Sequence, residues 1–312
     1  MIFLREADYY YLYSEFTMKN LTVDVIAPAS RCPISDVEKI QSFLASWHLK
    51  YHISDDLFGS HPFCSNTDEK RFNQLKYALT NTNSQIIWCV RGGYGSMKLI
   101  PLLNQIEPPK EQKIFIGSSD ITALHIFLQQ QWGWTTIHAP SLYSAALQQV
   151  SAESLEILKN LIFQKQNPIV YQAIHGLNKS ALADITLSAP IIGGNLTLIQ
   201  SSLSTSWQID ASGKILFIEE VNERGYRIDR ALEQLKQANI FKSAEAILFG
   251  DFLGGEEPDG KSLVQDALSA FADTSEIPVL QIQGIGHGFI NNPLILGKKV
   301  ELHTGSDASL AF

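Results

Sequence analysis

Three widely separated residues, Ser119, Glu219 and His287, have the types and settings that acyl-transfer chemistry needs. Gly117-Ser118-Ser119-Asp120 follows the apolar run Ile114-Phe115-Ile116 and leads into Ile121-Thr122-Ala123-Leu124-His125-Ile126-Phe127-Leu128. That pattern predicts a buried strand, a small-residue turn and then a helix. Such a turn lifts a serine hydroxyl to the sheet edge and aims backbone N–H groups at whatever binds there. A serine is a weak nucleophile until a base takes its proton. Histidine is the usual base, and a buried carboxylate fixes its tautomer and supports the imidazolium. Serine, then glutamate, then histidine is one of the chain orders in which such triads occur.

His287 stands apart from the rest of the 8 histidines because Gly286 and Gly288 flank it. Glycine neighbours permit close backbone approach and leave the ring open to a site. His125 and His138 lie near the Ser119 unit in sequence and are supporting candidates; the others read as structural or surface residues. Glu219 and Glu220 end the apolar run Phe217-Ile218. Neighbours on a strand face opposite ways, so one of the two at most can face the site, and a solvated strand end is the alternative for both. Arg91-Gly92-Gly93-Tyr94-Gly95 is a glycine-rich loop after a strand. It lacks the lysine of a P-loop and the spacing of the dinucleotide fingerprint. It can offer N–H groups to an oxyanion, or it can be a plain tight turn. Gly193-Gly194-Asn195 reads as the start of a helix.

The elements around these residues alternate between strand and helix. Leu21 to Ala27 reads as a first strand, and Ser35-Asp36-Val37-Glu38 as a capping box opening a helix to about His48. Strands are expected at Lys50–Ile53 and Ile86–Val90, and helices at Asp68–Leu79 and Met97–Ile106, before the Ser119 unit. Phe72, Leu75 and Leu79 form the apolar stripe of the second helix. This alternation predicts an α/β fold with a parallel sheet. A helix over Glu153–Phe163 follows, and residues 165–185, polar and irregular, read as a linker. Beyond it, strands are expected near Ile215–Ile218, Ala246–Phe249, Val279–Ile282 and Val300–Leu302, with helices at Leu196–Leu203, Asp229–Gln237 and Ser262–Phe271. The expected organisation is an extension at 1–20, an α/β domain with the nucleophile at 21–164, a linker at 165–185 and a second domain at 186–312.

Composition bounds the partners. The 312 residues suit two domains, and 45% hydrophobic with 18% charged residues suits a folded globular chain. A formal net charge of -8 argues against nucleic acid as the main partner. The 3 cysteines, Cys32, Cys64 and Cys89, are odd in number and none is in CxxC spacing, so neither a disulfide scaffold nor a zinc knuckle is expected. No apolar run reaches the ~18 residues that span a bilayer. The first 17 residues lack the basic start and unbroken apolar core of a signal peptide. The native start is expected at Met18, and the location is expected to be the cytoplasm.

Seven motifs in order resemble those of the LD-carboxypeptidases, serine peptidases that trim murein tetrapeptides. They are Asn66-Thr67-Asp68-Glu69-Lys70-Arg71, Arg91-Gly92-Gly93-Tyr94-Gly95-Ser96, Gly117-Ser118-Ser119-Asp120-Ile121-Thr122-Ala123-Leu124, Gly193-Gly194-Asn195-Leu196, Leu216-Phe217-Ile218-Glu219-Glu220-Val221, Tyr226-Arg227-Ile228-Asp229-Arg230 and Gly286-His287-Gly288. The resemblance implies an N-terminal parallel-sheet domain of Rossmann or flavodoxin type and a C-terminal barrel-like domain, with the site between them and often a homodimer. It implies Ser119 as nucleophile, Glu219 as triad acid and His287 as base. Gly93 and Asp120 match the residues whose N–H groups form the oxyanion hole. The implied substrate is a small murein peptide that loses its terminal D-alanine in cell-wall recycling, with no metal or organic cofactor and neither nucleic acid nor membrane as partner. Arg91 or Arg227 can pair a substrate carboxylate, or either can sit in a structural ion pair. The chain departs from the pattern at Ser118, where the family commonly has an aromatic residue, at Glu220, usually aspartate, and at Ile295, often proline. The sister group, the microcin C self-immunity hydrolases, implies an alternative substrate, an acyl-sulfamoyl adenylate; Trp132 and Trp134 are then candidates to stack on adenine, with core packing as their other reading. A non-catalytic binder of murein peptides and a nucleotide-binding protein using the glycine loop are the readings from other classes.

Overall fold

The computed structural model describes residues 21–164 and 168–312. The expected extension at 1–20 lies outside the described residues, as do positions 165–167 of the expected linker. In chain order the first part holds β1 (Thr22–Ile26), α1 (Val37–Ser46), β2 (Lys50–Ile53), α2 (Asp68–Thr80), β3 (Ile86–Cys89), α3 (Ile100–Leu103), β4 (Ile114–Gly117), α4 (Thr122–Trp132), β5 (Thr136–His138), α5 (Leu142–Ala146) and α6 (Ala152–Ile162). The second part holds β6 (Val170–Tyr171), β7 (Ile174–Gly176), β8 (Thr186–Asn195), α7 (Leu196–Ser201), β9 (Ile215–Val221), α8 (Gly225–Gln237), β10 (Ala246–Leu253), α9 (Val264–Asp273), β11 (Val279–Ile282), β12 (Leu294–Leu296), β13 (Lys299–His303) and β14 (Ser309–Ala311).

The first sheet has the order β12-β5-β4-β3-β1-β2. Strands β1 to β5 are parallel, as expected from the strand–helix alternation. Its other edge strand, β12, comes from the far end of the chain and runs antiparallel to β5, pairing Leu294 with His138 and Leu296 with Thr136. The second sheet runs β6-β14-β13-β8-β9-β10-β11-β7. Its two edges, β6 and β7, are consecutive in the chain, so the turn between them brings the edges together and the sheet curls into a nearly closed barrel. Side-chain parity sorts the cores. Ile215 and Phe217 point into the barrel, while Leu216 and Ile218 join a larger core that also holds Ile87, Phe115, Leu124 and Phe127 of the first sheet's layer. That second core is continuous across the two halves. Among the described residues no helix is long and apolar enough to cross a membrane.

Several expectations are corrected. The expected linker contributes two paired strands, β6 and β7, because Tyr171 and Ile174 are apolar enough to enter the barrel core. The capping box does not form: a 3-10 turn over Ile34–Asp36 precedes α1, and the Asp36 carboxylate goes to Lys39 Nζ at 2.7 Å and Tyr143 Oη at 2.9 Å instead. The expected helix at Met97–Ile106 is a 3-10 turn and one short α-helix. Thr67 caps α2 through Lys70 N, and that helix buries Arg71 and Gln74 beside Leu75 and Leu79, while Phe72 is half-buried.

Arg71 is fully buried. Its guanidinium donates to the carbonyls of Pro28, Gly95 (2.9 Å) and Asn66 (3.2 Å) and to Asp68 Oδ1 at 2.5 Å. One cation thus ties three loops at the carboxyl ends of the parallel strands. Breaking such a group by removing one partner typically costs about 3–5 kcal/mol. Arg71→Met is expected to lower the unfolding free energy by that order, measured by urea denaturation. His125, on α4, is also fully buried, and its Nε2–H donates to Gly117 O, 2.9 Å away. Burial pushes its ring down from 6.5 to about 4. The unfolded chain therefore takes up a proton near pH 6.5 while the folded chain does so only near 4. Stability is expected to fall by about 3 kcal/mol on acidification through that window. His125→Gln, compared with the wild type in urea melts at pH 7 and pH 4.5, is expected to lose less.

Candidate active site

The Ser119 turn has a backbone feature that sequence does not display. Ser119 has φ 62°, in the left-handed region, between extended Ser118 (φ -150°) and the start of α4. L-residues other than Asn, Asp and Gly rarely rest there, and such strain collects at functional sites. Ser118 is buried, while Ser119 is partly exposed. The glycine loop lies against the turn: a Cβ on Gly92 would stand 2.6 Å from Ser119 Cβ and 3.0 Å from its Oγ. Only glycine permits that approach. Gly93 is exposed and its N–H has no partner among the described residues.

Glu219 and His287 come together, as the resemblance implied. His287 Nδ1 lies 2.6 Å from Glu219 Oε2. Glu219 shares the barrel-facing parity of Phe217 and is fully buried; His287 is about one-fifth exposed. Both sit at carboxyl ends of parallel strands, Glu219 at the end of β9 and His287 in the loop after β11, where α/β sheets place their sites. Burial pushes the Glu219 carboxyl up, and His287 only partly offsets this. Burial works to lower His287, but the charge and hydrogen bond of Glu219 outweigh it and the ring titrates above its ordinary value. His287 Nε2 has no hydrogen-bond partner among the described residues. The Ser119–His287 bond of a closed triad is therefore not formed.

The two halves meet around His138. Its strand partners are Gly117 on β4 and Leu294 on β12, its ring packs edge-on against Phe217 at 5.3 Å, and it feels the charge of His287. Gly117, two residues before Ser119, and His287 thus both lie close to one buried ring. Burial drives His138 well below the usual histidine range, so it stays neutral. A second tie is polar: Asn195 N donates to Thr122 Oγ1 at 2.9 Å. Gly194 is needed there, since a Cβ on it would lie 2.4 Å from Thr122 Oγ1.

Glu220 takes the opposite face and a different job. Its carboxylate accepts from Asn195 Nδ2, Val221 N, Thr197 N and Thr197 Oγ1 at 2.8–2.9 Å, holding the start of α7. Arg91 is exposed with its guanidinium 5.8 Å from the Tyr143 ring. Arg227 is engaged by Glu223 (3.3 Å) and Tyr226 Oη (3.2 Å) and lines a groove on the Glu220 side of β9, not the Glu219 side. Trp134 is buried and packs on Trp132 at 5.6 Å, at the end of α4 farthest from Ser119; core packing is their role. Sequence reasoning missed the side chains of Thr122, Ser96 and Asp120, which carry no signature beyond lying in the glycine-loop and serine motifs.

Models of the LD-carboxypeptidase N-terminal and C-terminal domains match residues 23–139 and 188–302. A Bacillus subtilis relative named "Probable murein peptide carboxypeptidase" is 30% identical over 301 residues, 94% of this chain and 92% of that one. A crystal structure of muramoyltetrapeptide carboxypeptidase from Oxalobacter formigenes superposes with a TM-score of 0.79 at 26% identity, covering 93% of this chain and 97% of that one. The microcin C7 self-immunity protein MccF of Escherichia coli is 24% identical over 258 residues, 75% of this chain and 74% of that one. The fold, the ordered motifs and these matches agree: the chain belongs to the LD-carboxypeptidase family.

Proposed function

We propose that this protein is a serine carboxypeptidase that hydrolyses an L,D-peptide bond and releases the terminal D-alanine of murein tetrapeptides in cell-wall recycling. The observation that carries the reading is the 2.6 Å contact of His287 Nδ1 with buried Glu219, which leaves Nε2 without a partner among the described residues, as the nitrogen that can serve Ser119 on its strained turn. In this mechanism His287 Nε2 takes the Ser119 hydroxyl proton as Oγ attacks the scissile carbonyl. Nδ1–H stays on Glu219 Oε2, which supports the imidazolium. The N–H groups of Gly93 and Asp120 hold the developing oxyanion, worth about 3 kcal/mol per donor in comparable sites. The imidazolium then protonates the leaving amine, D-alanine departs, and water activated by His287 hydrolyses the acyl-enzyme. The names of the Bacillus subtilis and Oxalobacter formigenes relatives support the substrate class. The buried position of Trp134 gives no support to adenine stacking there.

Purified protein incubated with the murein tetrapeptide is expected to release D-alanine, followed by mass spectrometry. Ser119→Ala should lose activity by about 10⁴-fold or more. Persistent release by that variant overturns the mechanism; no release by folded wild type moves the reading to an acyl-sulfamoyl adenylate. The neutral His287 ring is the active form and its pKa is raised, so kcat/KM should fall on acidification from a point above the ordinary histidine value. Glu219→Gln removes the raising charge and is expected to move that acid limb to lower pH while lowering the plateau. Ser119→Gly frees the turn from its left-handed strain; it should be inactive yet more stable than Ser119→Ala by about 1 kcal/mol in thermal melts.

A further inference from the structure

The side chain of Asp120 has a task that helix chemistry does not explain. An acidic residue at the start of a helix usually serves that helix's own free amides. Asp120 does not: no side chain caps α4, and the carboxylate turns away toward the glycine loop. Its Oδ2 accepts from Ser96 N at 2.8 Å, and Ser96 Oγ donates back to the Asp120 carbonyl at 2.5 Å. Asp120 is buried, and burial raises its carboxyl above the usual range, with the Ser96 and Gly95 groups and Arg71 pulling it back.

This reciprocal pair closes one end of the Arg91–Ser96 loop. Arg71 holds Gly95 O at that same end, and at the other end Gly92 O accepts from Ser30 N at 3.0 Å. Between the two anchors stands Gly93, with its exposed N–H. The two amides assigned to the oxyanion are thus the N–H of Asp120 itself and one placed by the loop that its carboxylate grips. We infer that the Asp120 carboxylate is a positioning residue that sets the spacing of the oxyanion hole, with Ser96 as its counterpart. The inference rests on the reading of Ser119 as nucleophile, and its test must separate the two.

A fluorophosphonate probe does this because it needs no natural substrate. Ser119 Oγ forms the P–O bond, the P–F bond breaks, fluoride leaves, the serine proton passes to His287, and the phosphonyl oxygen occupies the oxyanion position. Labelling rates would be compared for wild type, Asp120→Asn and Ser96→Ala, with the low-field proton signal of His287 Nδ1–H as a check on the rest of the site. Misplacing a stabilising group by about 1 Å costs about 10²-fold. Asp120→Asn is expected to slow labelling about 10–100-fold, and Ser96→Ala less, with the His287 signal retained in both. On the murein tetrapeptide kcat should fall while KM holds. Labelling at the wild-type rate in the variants overturns the inference, as does slowing that accompanies loss of the His287 signal. Should Asp120→Asn fail to fold, Ser96→Ala decides alone by the same criteria. Absence of labelling in the wild type overturns the serine reading instead.

Discussion

The antiparallel pairing of Leu294–Leu296 with Thr136–His138 is the contact on which the site depends. Ser119 hangs from one sheet and the Glu219–His287 pair from the other. A catalytic constellation tolerates little error, since a displacement of about 1 Å can cost about 10²-fold in rate. Shortly after His287 the chain crosses to the first sheet and pairs beside the strand next to Ser119's own. The histidine loop is therefore fixed to both sheets by backbone hydrogen bonds, which have less freedom than side-chain contacts. The Thr122–Asn195 bond and the core shared by Phe115, Leu124, Ile192 and Leu216 oppose sliding in other directions.

The electrostatic arrangement follows from the same closeness. A fully buried carboxylate is costly unless it is paired. Glu219 has one partner that can carry a positive charge, His287, and the nearby ring of His138, with His125 beside it, is held neutral by burial. Additional positive charge there would pull on Glu219 and weaken its hold on His287. The neighbouring Glu220 shows the contrast. Four donors satisfy it, and it organises a helix start rather than a reacting group. Two adjacent glutamates thus acquire different roles from strand parity alone.

Much of this was legible in the residues. The strand–turn–helix around Ser119, the parity argument for Glu219 and Glu220, and the parallel sheet all rest on local periodicity, which a single chain displays. The match of ordered motifs supplied the partnership of Glu219 with His287, which no local pattern contains. What escaped was long-range or short in sequence. Strand β12 has three residues and its partner lies more than 150 positions away, so no periodic signal could place it. Strands β6 and β7 sit in a polar stretch and gain their order only from the barrel edges that they close. The capping box failed because Ser35 falls inside a 3-10 turn, which moves the start of the helix on to Asp36. The left-handed backbone of Ser119 is a tertiary outcome, set by what packs on either side of the turn.

A glycine loop gives up the side chains by which other loops are packed. Arg91–Ser96 approaches Ser119 because Gly92 has no Cβ, yet for the same reason little apolar surface holds it in place. The fold replaces packing with charge-assisted hydrogen bonds at the loop's carboxyl end, buried Arg71 donating to Gly95 O and Ser96 N donating to buried Asp120. Such bonds are stronger and more directional than neutral ones, and burial sharpens both properties. This accounts for a buried cation and a buried anion at the two residues that grip the loop. Each would be expensive as a stabilising device, since hydrophobic replacements often stabilise as well or better. They make sense as fixtures for a loop that has to be bare where it approaches Ser119 and held fast where it does not.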